Sequence, residues 1–174
     1  MKTIRTLFID ALRRRKQRNF KNFYIAIDVH GTIFKPTKWT KIDPETNEEI
    51  EEDYLKYIPE VYTLSIVVLR LLTANENCKL ILWTSSKQDK VEMYKAFLED
   101  NDVKVAYINE NPDFKENNYS DFSNKFCFDI LLDDKAGFDP ETDWIELYKL
   151  LTETDWDSFY ASLNTIYTAP KYLG

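Results

Sequence analysis

The stretch YIAIDVHGTIF at positions 24–34 constrains the fold more than any other part of the chain. Mostly apolar, β-prone residues run directly into the carboxylate of Asp28, and the pair Gly31-Thr32 follows three residues later. A continuous apolar run that ends in a turn is typical of a strand buried on both faces of a parallel sheet. Asp28 is therefore expected at the carboxyl end of a strand, the edge at which open α/β sheets bind ligands.

Strands and helices are expected to alternate along the rest of the chain. Apolar runs predict the strands, and apolar residues at three- and four-residue spacing predict the helices between them. This alternation is typical of a parallel sheet with right-handed crossovers. The predicted strands are 24–28, 79–86, 103–108 and 126–132, and the predicted helices run from near Pro59 to Leu72, over 87–100 with Ser86 as N-cap, and from Asp139 to Leu151.

Length and composition favour one globular domain. The 174 residues are 44% hydrophobic and 15% aromatic, which is enough to build a core. No apolar run has the length of a membrane span, and the N-terminus lacks the apolar region of a signal peptide. Cys78 and Cys127 have no metal-ligand spacing, so we expect reduced core thiols in a cytoplasmic protein.

Basic residues are concentrated near the N-terminus. Residues 1–21 hold eight Lys or Arg and one Asp, a balance of +7 against −14 on the remaining chain. Ile4, Leu7 and Phe8 have the spacing of an amphipathic helix. The segment is expected either to dock as a helix on a domain over 22–174, with its basic end in solvent, or to act as an arm that contacts phosphate or nucleic acid.

Three segments fall outside the predicted strands and helices of the domain. Residues 35–58 form an acidic insertion after the first strand, either a solvated loop or a small cap that shapes substrate access. Residues 109–123 are long for a connection, and such loops are either mobile or functional. Residues 153–174 are expected to form a C-terminal helical extension.

The strand that ends in Asp28 resembles the first motif of the haloacid dehalogenase-like hydrolases, Asp-x-Asp-Gly-Thr, with His30 where that family has its second Asp. Three further family motifs occur in the right order. Thr84 ends the second predicted strand, Lys125 precedes the fourth, and Asp133-Asp134 ends it. The resemblance covers about residues 22–152.

The resemblance implies a three-layer, Rossmann-like parallel sheet with a minimal cap and strand order 3-2-1-4. It also implies a Mg²⁺-dependent phosphomonoester hydrolase that acts through an aspartyl-phosphate on Asp28. The implied metal ligands are Asp28, the main-chain carbonyl of His30, Asp133 and Asp134, and the implied phosphate-binding residues are Thr84, Ser85 and Lys125.

Two assignments stay open. Histidine can perform the proton transfer of the missing carboxylic acid, because its usual pKa is about 6.5, but His30 can equally be a structural residue. For the basic motif, Lys115 and Lys135 are alternatives to Lys125. Two other functions remain: a catalytically degenerate relative that binds a phosphorylated partner, and a nucleic-acid end phosphatase that uses the basic arm.

Overall fold

The computed structural model describes residues 3–36, 40–51, 60–114, 122 and 125–155. It contains the helices α1 (Ile4–Gln17), α2 (Ser65–Thr73), α3 (Gln88–Asp100) and α4 (Asp143–Glu153). Its strands are β1 (Phe23–Asp28), β2 (Thr40–Ile42), β3 (Glu49–Glu51), β4 (Cys78–Trp83), β5 (Val105–Ile108) and β6 (Ile130–Leu132).

The main sheet is a four-stranded parallel sheet in the order β5-β4-β1-β6. This confirms the expected order 3-2-1-4 of the four predicted strands. β1 lies between β4 and β6, with Asp28 in register with Trp83 and Ile27 with Leu132. Asp28 therefore lies at the carboxyl end of an interior strand. The chain continues from β1 to β4 and β5 on one side and then crosses to β6 on the other side, so Asp28 lies at the topological switch point of the sheet.

One face of the sheet carries the helical layer. Side chains alternate along a strand, so Ile25 and Ile27 of β1 point to the same face. Both are fully buried, and each such aliphatic side chain contributes about 1.5–3 kcal/mol of burial free energy. All four helices add buried residues to this one cluster, among them Phe8, Leu69, Tyr94 and Trp144.

The opposite face has a different cover. Its cluster contains Tyr24, Ala26, Ile81 and Phe126, and no helical residue of the described ranges belongs to it. Right-handed crossovers send the β5–β6 connection to this face, and that connection supplies the packed aromatic rings Phe114, Phe126 and Phe128. The chain is thus an α/β protein, while a second helical layer stays an expectation.

Several predicted boundaries shift. The last strand begins at Ile130 instead of residue 126, because the Tyr24 N–H donates to the side chain of Asp129, at 2.8 Å, before the ladder starts. The helix predicted over 87–100 has Lys87 as its N-cap, so Ser86 does not cap it. Helix α2 begins at Ser65 instead of near Pro59, and its Val67 and Leu71 are exposed.

Helix α1 is docked, with Ile4, Phe8 and Ala11 buried. The expected burial of Leu7 is wrong, since 43% of it is exposed. The basic end of α1 was expected in solvent, but part of it is buried. Arg15 is buried and forms an ion pair with Asp129, with 3.4 Å between Nη1 and Oδ2.

The insertion contains an antiparallel hairpin of β2 and β3. Residues 37–39 and 52–59 of the insertion and its flank, 115–121 of the long connection and 156–174 of the C-terminal extension lie outside the described residues. Within the described ranges, no helix combines the length and the apolar character needed to cross a bilayer.

Candidate active site

Three carboxylates meet at the carboxyl ends of β1 and β6. Asp28 ends β1, and Asp133 and Asp134 follow directly after β6. One oxygen from each carboxylate lies within 4.8 Å of the others. The two strands are hydrogen-bonded neighbours, so the sheet topology brings together residues that are about a hundred positions apart. The structure therefore assembles the acidic cluster that the sequence predicted.

The glycine after β1 makes room for this cluster. Gly31 has φ +79°, a backbone conformation that residues with a Cβ atom rarely adopt. A Cβ atom at Gly31 would lie 2.7 Å from Oδ2 of Asp134. Glycine is thus required both by the turn and by the approach of the Asp134 carboxylate.

Thr32 links the turn to the other elements of the site. Its Oγ1 accepts a hydrogen bond from the Asp134 N–H at 3.1 Å, and its main-chain carbonyl accepts one from Nε1 of Trp144 at 2.9 Å. Thr32 and Trp144 are both fully buried. The sequence analysis identified the glycine-threonine pair as a turn but missed the role of Thr32 in positioning Asp134 and Trp144. The pair itself is the only signal of that role in the sequence.

Burial makes the charge on Asp28 unfavourable. The pKa of Asp28 is raised from 3.8 to about 6, mainly by burial and also by the nearby Asp133 and Asp134, against the opposing effects of the Val29 N–H and Lys135. Oδ2 of Asp28 is buried, and within the described residues it has no hydrogen-bond partner. A buried acceptor without a partner costs about 1–3 kcal/mol, so this oxygen is poised for a ligand.

A divalent cation fits these residues. Carboxylate oxygens are the hard ligands that Mg²⁺ takes in proteins, commonly one or two of them, with water and phosphate oxygens completing the octahedron. A cation at the cluster would offset the mutual repulsion of the three carboxylates. Carboxylate oxygens suit hard divalent cations such as Mg²⁺, Ca²⁺ and Mn²⁺ better than softer metals.

A cavity of about 720 Å³ opens beside Asp28 and Asp133. Thr84 and Ser85, the predicted phosphate-binding residues, both line it. Asn109 fixes the main chain of Thr84 by two hydrogen bonds, from the Thr84 N–H to Oδ1 at 2.8 Å and from Nδ2 to the Thr84 carbonyl at 2.7 Å. The hydroxyls therefore sit on a backbone held at a fixed position next to the nucleophile candidate.

Among the described residues, the lysine at this cavity is Lys135. It is one of the lining residues, and its charge lowers the pKa of Asp28. Lys125, the lysine predicted from the motif order, is exposed and does not line the cavity among the described residues. Lys135 comes from the 3₁₀ turn Asp134–Ala136, which Asp133 caps through the Lys135 and Ala136 N–H groups.

His30 has a specific partner on the helical side of the sheet. Its Nε2 is 2.7 Å from the hydroxyl of Tyr94, a fully buried residue of α3. His30 is not among the described residues that line the cavity beside Asp28. Burial lowers the pKa of His30 below 6.5, and the positive charges of Lys90 and Lys135 lower it further. At neutral pH the imidazole is therefore mainly uncharged.

Comparisons with protein-family models, with curated proteins and with solved structures find no match to this chain. Fold and site together define its class: a parallel α/β protein with a carboxylate cluster and a hydroxyl-lined cavity at the carboxyl ends of its central strands.

Proposed function

We propose that the protein is a Mg²⁺-dependent phosphomonoester hydrolase of the haloacid dehalogenase-like type, with Asp28 as its nucleophile. The convergence of Asp28, Asp133 and Asp134 within 4.8 Å at the end of β1, with a buried Asp28 oxygen that has no partner among the described residues, carries this proposal. Asp133 also caps a 3₁₀ turn, but the convergence of three like charges and the buried oxygen without a partner both oppose folding, so a ligand role is the better explanation.

The proposed reaction has two displacements at phosphorus. A carboxylate oxygen of Asp28 attacks the phosphorus atom, the bond from phosphorus to the ester oxygen breaks, and the leaving alcohol takes up a proton. Water then attacks the phosphorus of the aspartyl-phosphate, loses a proton, and releases inorganic phosphate and the Asp28 carboxylate. Covalent catalysis of this kind replaces one difficult step with two easier ones.

Charge neutralisation is the main requirement, because an anionic nucleophile must approach an anionic phosphate. Bound Mg²⁺, held by Asp28 and Asp133 with Asp134 directly or through water, would supply positive charge at the phosphoryl oxygens. Lys135 adds a second positive group at the same cavity. The Thr84 and Ser85 hydroxyls and adjacent N–H groups orient the phosphoryl oxygens. The carbonyl of His30 as a further metal ligand and Lys125 as the phosphate-binding lysine stay predictions.

His30 is the candidate for proton transfer, but its geometry limits how it can act. Since Nε2 is engaged with Tyr94, the proton must be given and taken at Nδ1. The lowered pKa of His30 favours the base role, activation of water in the second step, over the acid role in the first.

A second candidate function is favoured by this same observation. If the His30–Tyr94 pair is only structural, Asp28 lacks a partner for proton transfer, and the protein would bind a phosphorylated molecule without turning it over. The third reading, a nucleic-acid end phosphatase, gains little support from the basic arm. Arg15 and Lys16 line a different cavity with Phe23 and Cys78, the first residues of β1 and β4.

The test is a panel of phosphomonoesters assayed with Mg²⁺ and with EDTA. We expect hydrolysis only with Mg²⁺, and its loss in Asp28→Asn. The matched control is Asp129→Asn, the same change at another partly buried aspartate at the opposite end of the sheet, which should keep turnover. Mg²⁺-dependent phosphate binding without hydrolysis would favour the degenerate relative, and hydrolysis by Asp28→Asn at the wild-type rate would refute the proposal.

A further inference from the structure

The cavity beside Asp28 has an aromatic side. Trp83 ends β4 in register with Asp28 at the end of β1. Alternation along the strands turns both side chains to the face that carries Ala26 and Ile81, away from the helical layer. Adjacent strands are roughly 4.8 Å apart, so the indole lies next to the proposed nucleophile. Both residues line the same cavity.

The indole of Trp83 is unusually open for so large an apolar group. It is 42% exposed, although Leu80, Ile81 and Leu82, the three residues before it, are fully buried. Phe126 packs against it with ring centroids 4.8 Å apart, and Pro112 and Phe122 continue the apolar wall. A rigid, exposed aromatic surface inside a concave site is typical of ligand recognition.

This wall is held in place by hydrogen bonds. The hydroxyls of Tyr24 and Tyr107 donate to the two carboxylate oxygens of Asp113, at 2.6 and 2.8 Å, and so tie the connection after β5 to the sheet. Nδ2 of Asn111 donates to the carbonyl of Cys127 at 2.6 Å. The aromatic surface is thus preorganised, which lowers the entropy cost of binding a rigid ligand.

The rim of the cavity limits the charge of that ligand. Besides Asp28 and Asp133, the acidic Glu110 lines it, and Lys135 is the basic group among the described lining residues. The metal site and Lys135 can bind one phosphate, whereas additional phosphates would be repelled by the carboxylate of Glu110. The volume of about 720 Å³ is in the range of small-molecule pockets and leaves room beyond a single phosphate.

We propose that the substrate is a nucleoside monophosphate whose base stacks on Trp83 while its phosphate meets Asp28. This assignment rests on the proposed function. Bases stack on aromatic side chains because every base has a flat π-face, and the gain is largely independent of base identity. The site therefore selects for a leaving group that carries a planar base, more than for one particular base.

The test compares adenosine 5′-monophosphate with ribose 5-phosphate, which has the same phosphate and sugar but no base. Wild-type protein should prefer the nucleotide by about 5- to 150-fold in kcat/KM, the range that one stacking contact provides. In Trp83→Leu, which keeps apolar volume without a ring, this ratio should fall towards one, and in Trp83→Phe most of it should remain. The control Phe20→Ala removes an exposed ring at the opposite end of the sheet and should leave the ratio unchanged.

Binding separates a failure of this inference from a failure of the proposed function. Equilibrium dialysis of the two compounds against Asp28→Asn with Mg²⁺ measures the same preference without turnover. If Asp28→Asn binds the nucleotide more tightly than ribose 5-phosphate and the double variant Asp28→Asn/Trp83→Leu does not, the stacking site is supported even if no substrate is hydrolysed. Equal affinity for both compounds, or a preference that survives Trp83→Leu, overturns it. Higher kcat/KM for a single-stranded oligonucleotide with a 5′-phosphate than for the mononucleotide would identify nucleic-acid ends as the source of the nucleotide.

Discussion

The two ends of the sheet hold cavities of the same size, about 720 Å³ each, with opposite electrostatic character. At the amino ends of the strands, the buried Arg15 is balanced by Asp129 and by the rings of Phe20 and Tyr24, with 4.8 and 5.1 Å from its guanidinium carbon to the ring centroids. At the carboxyl ends, three carboxylates converge, and among the described residues Lys135 is the lysine whose charge acts on Asp28.

The difference separates a structural site from a functional one. A charge that has its partners in the fold stabilises the protein, whereas like charges held together lower stability and are kept for a ligand. Changes at the amino end should therefore alter stability without altering chemistry. Changes at the carboxyl end should alter chemistry, whatever their effect on stability.

His30→Ala should give the largest change at the carboxyl end among residues other than the carboxylates. Loss of a general acid or base slows turnover by roughly 10²–10⁴-fold. Steady-state rates on an alkyl phosphate test this, and the loss should be smaller for p-nitrophenyl phosphate, whose leaving group hardly needs a proton. Tyr94→Phe keeps the ring and removes only the hydrogen bond to Nε2. If both variants match wild-type turnover, His30 is a structural residue.

Gly31→Ala should reduce turnover by about 10- to 100-fold, because a Cβ atom there displaces the Asp134 carboxylate and small misplacements in a site are costly. Gly137→Ala is the matched control. Gly137 also has a positive φ, +97°, but its added Cβ would meet no atom within 4 Å. Both variants should lose about 1 kcal/mol of stability, and only Gly31→Ala should lose Mg²⁺-dependent activity. Equal activity of the two would show that Asp134 is dispensable.

Arg15→Ala should lower the free energy of unfolding by about 2–3 kcal/mol, because it removes a buried side chain and leaves Asp129 without its cation. Urea unfolding measures this change. The kcat of the folded variant should equal that of wild type, since Arg15 lies at the opposite end of the sheet from Asp28. A loss of turnover in the folded variant would mean that the two ends are coupled.

A further prediction concerns the pH dependence of stability in EDTA. The folded-state pKa of Asp28, about 6, lies above its ordinary value of 3.8, so the folded protein holds this proton more tightly than the unfolded chain. Stability from this group is present below about pH 4 and is lost as the pH rises to about 6. Asp28→Asn should therefore melt higher than wild type above pH 6 and equally near pH 4. Asp113→Asn should give the opposite sign, because the hydrogen bond from Tyr24 holds the pKa of Asp113 low. A wild-type protein that gains stability relative to Asp28→Asn as the pH rises would contradict this account.

The positions of Asp28 and Asp133 at strand ends could be predicted from where apolar runs end, whereas the strand order that makes those strands neighbours was implied only by the family resemblance. Asp28 and Asp133 come directly after such runs, and parallel strands bring their carboxyl ends to one edge. The apolar face of α1 was predicted in the same way, from periodicity.

The features that could not be predicted depend on contacts between distant parts of the chain. Strand alternation would aim His30 beside Asp28, but β1 ends at Asp28, and the ring of His30 instead meets Tyr94 of α3. Lys135 lies in a 3₁₀ turn and lines the cavity, and no apolar pattern in the sequence predicts that turn. Arg15 is buried because Asp129, far along the chain, lies opposite it.

The central claim is that Asp28 carries the phosphoryl group during turnover. The most direct measurement is acid quenching of the protein while it hydrolyses a phosphomonoester with Mg²⁺, followed by mass spectrometry of its peptides. We predict a covalent phosphoryl group on Asp28, removable by hydroxylamine as an acyl phosphate should be, and absent in Asp28→Asn and in EDTA. Rapid turnover with no phosphorylated peptide, or with the group on another residue, would contradict the account.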